Sequence, residues 1–191
     1  MRYFLGLLKL GDGLDAESYE DGVKTGLSPF IDISNVFSIT LDNCNTMLKL
    51  GRISIIKNHV NCAAHALQSA VKKALSHANV PKLLEKIKSI ISELTAYHGR
   101  NALAQSQTEA ERNIRRLFLP NATRWDSEFN AMKRVLEELA SIDSTLTEIG
   151  KRDLLLTSQE LDETTQLVKL LLPIRKISLG LQEKNCSMAD L

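Results

Sequence analysis

A succession of apolar stripes at helical spacing fills most of this chain and restricts what it can become. Phe129, Met132, Val135 or Leu136, Leu139, Ile142, Leu146 and Ile149 recur every three or four residues, so 126–149 predicts one long amphipathic helix. Leu83, Leu84, Ile87, Ile90, Ile91 and Leu94 predict a second. A third runs over 161–183, where Leu167, Val168, Leu170, Leu171, Leu172, Ile174 and Ile177 cluster and Pro173 predicts a kink, because proline lacks the N–H that the helix ladder needs. Between the first two, "HGRNALAQSQTEAERNIRR" is polar with weak periodicity and reads either as a loop or as a loosely packed helix. No repeat or low-complexity tract interrupts the pattern.

The beginning of the chain has a different character. Tyr3 to Leu10 is a short apolar run stopped by Gly11, Asp12 and Gly13, which predicts a strand and a turn. A helix of weaker amphipathy follows from Ala16 to Gly26, and "NVFSITL", residues 35–41, predicts a second strand that runs into Asp42. In open α/β sheets ligands gather at the carboxyl ends of strands, so Asp42 stands where chemistry tends to sit. The simpler role for one strand-end aspartate is a helix cap.

Composition sets the outer limits. With 43% apolar and 25% charged residues in 191, this is an ordinary globular composition for one domain, or one and a part. The net charge of +1 leaves no overall footprint for nucleic acid. Its distribution is uneven: residues 1–50 hold four basic and seven acidic side chains, whereas 71–100 hold six basic and two acidic. Only the middle of the chain suits phosphate. Three scattered cysteines do not suggest a disulfide framework and favour a reducing compartment. The apolar run YFLGLL has six residues before Lys9, too few for a bilayer span and without a cleavage site, so a soluble intracellular protein with no membrane partner is expected.

Two short constellations stand out. In "NCAAHALQSAVKKALSH", Ala63, Leu67, Ala70, Val71, Ala74 and Leu75 share one helical face, and Cys62 and His65 lie together on the other at i, i+3. A structural zinc site needs four ligands, and beyond His59 no second pair of metal spacing exists, so a solvated histidine and a half-buried cysteine are expected. In "LPNATRWDSEFNAMKRVLEEL", Trp125 stands at a helix entrance, with Asp126 or Ser127 as candidate caps and Glu128 suited to the positive end of the helix dipole. A cap beside a buried aromatic anchor accounts for these residues.

Taken in order, "TLDNCNTM", "CAAHALQSAVKKAL", "LPNATRWDSEFNAMKRVLE" and "LLLPIRKISLGLQEKNCSMADL" resemble four segments of the hAT-type transposases. The resemblance covers nearly the whole chain. It implies α/β followed by mostly α: a partial ribonuclease-H-like core over 1–80, and over 81–191 a mainly helical region that includes the start of an insertion domain. In that family three carboxylates hold two divalent metals, which activate the attacking oxygen and stabilise the leaving one. By resemblance, Asp42 occupies the second acid position. The Cys62 and His65 pair and the Thr123, Arg124 and Trp125 segment occupy positions near DNA, where an indole face would stack on an unpaired base, a contact worth ~1–3 kcal/mol.

The resemblance places the first acid on a strand before Arg2 and the last in a Ser-Glu-Arg context that does not occur before Leu191. No cofactor is therefore expected, with Mg2+ or Mn2+ required only if the missing acids come from elsewhere. The central strand would also be missing, which leaves ladder groups open and predicts dependence on a protein partner or a second copy. Three functions follow as expectations: a transposase-derived fragment without catalysis, a domesticated DNA- or protein-binding module on the same scaffold, or a nuclease completed by a second chain. Nuclear residence follows from the resemblance alone.

Overall fold

The structure is a computed structural model that describes residues 15–111, 113–121 and 124–182. Two compact units divide between Leu67 and Gln68. That division falls inside a helix. The expected strand at Tyr3 to Leu10 lies outside the described residues.

In the first unit, Asp15 starts α1 (Ala16–Leu27) by accepting a hydrogen bond from Ser18 N at 2.8 Å, and Glu17 and Lys24 complement the two ends of the helix dipole. The expected strand over 35–41 is shorter than its β-rich composition suggests. Asp32 accepts from Ser34 N at 3.0 Å and turns 33–35 into a single 3-10 turn, so β1 (Ile39–Leu41) begins only at Ile39. A crossover helix, α2 (Asn45–Ile53), then leads to β2 (His59–Asn61), and the two strands pair in parallel with Leu41 opposite Asn61. Residues 45–53 offer the core one buried residue, Leu50, which is why their period is hard to read from sequence. A Cβ on Gly51 would come within 3.2 Å of the His59 ring and 3.3 Å of Leu41, so glycine lets α2 lie close to the strands. Ala16, Leu41 and Leu50 form the core, with Tyr19, Ile39 and Met47 packed around it.

The boundary between the units falls within α3 (Ala63–Leu75), which buries Val71 and Leu75. The second unit is helical. Its centre is α4 (Val80–Thr95), opened by a proline in its first turn and burying Leu83, Leu84, Ile87, Ile90, Ile91 and Leu94. Each such side chain contributes about 1.5–3 kcal/mol by leaving water. The polar stretch that follows is a helix, α5 (Tyr97–Glu109), whose few buried positions include Leu103 and Gln107. Residues 113–121 then run without helix or strand.

The expected single helix over 126–149 is two, α6 (Trp125–Glu137) and α7 (Leu139–Glu148). They are separated at Glu138, whose φ of −106° and ψ of 13° leave the helical region. The Glu138 side chain is buried and accepts a hydrogen bond from Gln107 Nε2 at 3.0 Å. This holds the break while Ile142 and Leu146 still reach the core. Periodicity survives such a break because it counts apolar positions and not backbone hydrogen bonds. The last helix, α8 (Ser158–Gln182), carries Pro173 in its interior. α4 packs against α5 and α6, α5 against α7, and α6 against α8. Among the described residues no helix is long and apolar enough to cross a membrane.

One ion pair ties α8 to α4. Lys86 Nζ stands 2.6 Å from Glu160 Oε2, which also accepts from Thr157 N at 2.8 Å. The Lys86 contact first, and then the Thr157 bond, hold the Glu160 carboxyl below its ordinary range. A depressed carboxyl stabilises the fold fully above its unfolded pKa, and this is lost as pH falls through the folded value. The urea midpoint is therefore expected to fall between pH 7 and acid conditions below the ordinary glutamate range, and to fall less in Glu160→Gln. An equal fall in both proteins would remove Glu160 as a source.

Candidate functional site

The first group of candidate residues gathers at the carboxyl end of the strand pair. Because Leu41 and Asn61 are opposite each other, the residues that follow them, Asp42 and Cys62, leave the sheet side by side. Cys62 N donates to Leu41 O at 2.7 Å, and Cys62 O accepts from Ala66 N at 3.0 Å as α3 begins. Asp42 Oδ1 accepts from Cys44 N at 2.8 Å, an Asx turn that leads the chain into α2. A side-chain hydrogen bond with Cys44 first, and then the bond from its backbone N–H, with a smaller contribution from the charge of nearby His65, hold the Asp42 carboxyl below its ordinary range. The structure thus brings Asp42, Cys62 and His65 to one end of the sheet, with Cys62 half-buried and His65 exposed.

Mg2+ and Mn2+ favour oxygen ligands and a pair of ions needs several carboxylates; of these three side chains Asp42 alone supplies one, and one of its oxygens accepts from a backbone N–H. Among the described residues no three His, Cys, Asp or Glu side chains are placed to share a metal ion.

The second group opens α6. Thr123 lies outside the described residues. Arg124 is the exposed cap residue, with extended backbone (φ −127°, ψ 123°) and no side-chain capping bond. The caps expected from sequence, Asp126 and Ser127, instead lie within the first turn. Ser127 Oγ points back into the chain, 2.7 Å from Asn121 O and 2.6 Å from Arg124 O.

Trp125 is fully buried, at 0% exposure, and meets Phe129 edge to face with ring centroids 6.4 Å apart. An enclosed indole offers no face to a base, so the stacking role implied by resemblance does not suit its position here. Arg175 of α8, which sequence reasoning did not single out, lies over the Phe129 ring at 5.2 Å and reaches to 3.9 Å from Asp126 Oδ1. The sequence signal for it was a pair of adjacent basic residues, Arg175 and Lys176, just after Pro173 in a largely apolar run. Asp126 Oδ1 and Arg175 Nε are both buried without a hydrogen bond, so this pair is held by charge and packing alone. The segment is therefore an anchor between α6 and α8, with Arg124 as its exposed part.

The class of this protein, a core of helices opened at an Arg-Trp segment and preceded in sequence by a short parallel strand pair, is that of a ribonuclease-like helical domain by its family match. Residues 60–170 match the family model described as the ZBED1 RNase-like helical domain, and the chain belongs to that family. It contains a hAT/ZBED-type, transposase-derived region. No curated protein matches the chain.

Proposed function

We propose that this transposase-derived chain provides a helical DNA-binding scaffold and does not itself cleave DNA. The observation that carries the proposal is the family match over residues 60–170, which takes in Cys62, His65, Arg124 and Trp125. The buried indole and exposed arginine support different tasks for neighbouring residues: Trp125 holds α6 in place, and Arg124 is available to a phosphate. A nuclear location belongs to the same proposal, since chromosomal DNA would be the ligand.

The test combines plasmid DNA with the chain in Mg2+ or Mn2+ and follows nicking, alongside retention of a labelled duplex at increasing salt. Expected are no nicking, and binding whose slope against log salt falls by about 0.9 in Arg124→Ala, the value for one phosphate contact. Metal-dependent nicking that Asp42→Asn abolishes would overturn the proposal, and so would the absence of DNA binding.

A further inference from the structure

We infer that a cleft between α5 and the extended segment 113–121 binds one unpaired nucleotide of a DNA strand, its phosphate on Arg100 and Arg116. This rests on the DNA-binding reading but uses residues other than Cys62, His65, Arg124 and Trp125. The cleft encloses about 560 Å3, and among the described residues Arg100, Arg115 and Arg116 line it with no acidic side chain beside them. Its floor is apolar, formed by Leu94, Leu103 and Leu117, each of them buried. A ligand suited to it carries negative charge at one end and a flat, weakly polar body at the other, which describes a phosphate joined to a base.

The cleft is built in advance by Gln107, which is 1% exposed at its base. Gln107 Nε2 donates to Arg115 O at 3.1 Å and to Glu138 Oε2 at 3.0 Å, while its Oε1 accepts from Arg115 N at 3.3 Å. These bonds pin the extended segment against α5. Arg115 is further occupied by Glu137, 3.3 Å away, and Glu138, 3.9 Å away. It therefore serves the scaffold, whereas Arg100 and Arg116 are exposed and paired with no acid among the described residues.

Exposed apolar groups border these arginines in sequence. Tyr97 stands one helical turn before Arg100 and is 68% exposed, and Phe118, two residues after Arg116, is 40% exposed. Arginine interleaved with open aromatic rings is the surface on which single-stranded nucleic acid stacks. A duplex, whose bases are already paired and stacked, would leave the apolar floor unused. A polyglutamate chain would meet the arginines but has no planar or apolar side chain for the floor.

The experiment measures fluorescence anisotropy of a labelled oligothymidylate of about 15 nucleotides, and of a duplex of the same length, across a salt series. Three proteins are compared: the chain as it is, the double variant Arg100→Ala/Arg116→Ala, and Lys169→Ala on an exposed part of α8. Both arginines are exposed, so circular dichroism and melting should be unchanged and folding does not confuse the result. Expected are tighter binding to the single strand than to the duplex and, in the double variant only, a slope against log salt smaller by about 0.7 per lost contact. Binding with an unchanged slope in the double variant would overturn the cleft and leave the scaffold reading standing. No DNA binding by any of the three would remove both. Equal affinity for duplex and single strand, or equally effective displacement by polyglutamate, would also overturn the nucleotide assignment.

Discussion

Replacing Trp125 with alanine is expected to destabilise the helical unit by about 3–5 kcal/mol, the usual cost of emptying a large aromatic site in a packed core. The side chain is 0% exposed, and its neighbours Phe129 and Met132 are equally enclosed, so surrounding side chains have little freedom to collapse into the space. Trp125→Phe should lose less, because a ring remains to pack near Phe129. Urea unfolding followed by far-ultraviolet circular dichroism measures both, since this is the only tryptophan and its fluorescence is lost in the variants. If the indole were a surface contact for a base, the loss would stay within about 0.5 kcal/mol. With the expected large loss, a fall in DNA binding on Trp125→Ala says little about contact, as an unfolded helical unit binds poorly for any reason. Arg124→Ala separates the two.

Gly99→Ala should cost about 3 kcal/mol, near the top of the ordinary range for overpacking. A Cβ there would stand 2.3 Å from the carbonyl oxygen of Glu93 and 3.0 Å from Leu94 Cα, both backbone atoms of α4. No rotamer change relieves a clash with backbone, so the start of α5 must move away from the end of α4. The matching control is Gly180→Ala in α8, where an added Cβ meets nothing within 4 Å. There the same substitution should stabilise by about 0.5–1 kcal/mol, because alanine suits a helix better than glycine. Equal effects at the two positions, read from urea midpoints, would show that propensity and not close approach governs Gly99.

How far each element could be read ahead depended on how much of it is buried. α4 was legible because six apolar side chains at helical spacing all enter the core. α5 was ambiguous because its contribution is a glycine, a leucine and a glutamine, a buried set with no hydrophobic period. α2 escaped notice for a similar reason. The strand over 35–41 was overestimated because β-branched residues mark a preference, while Asp32 drew the chain into a local turn before the strand could form.

At the candidate site, position along the chain was readable and environment was not. That Trp125 opens a helix follows from the change of period beside it. Whether its indole faces water or the core depends on Phe129 and on an arginine fifty residues later, which no local pattern contains. Asp42 at a strand tip was likewise evident, but its hydrogen bond to Cys44 depends on the turn into a helix that the sequence only weakly marks.

The sequence by itself determined an α/β start with a mostly helical remainder, the helix beginning at the Arg-Trp segment, and a likeness to transposases whose coarser part, a transposase-derived region, the family match supports, because apolar spacing and short motifs are local properties. Only the tertiary structure decided that the long helix breaks at Glu138, that Trp125 is an anchor, and that Arg100 and Arg116 line one cleft. Each of these depends on Gln107, Arg175 or the segment 113–121 meeting residues distant in sequence, and such meetings are set by packing, which no single stretch of chain records.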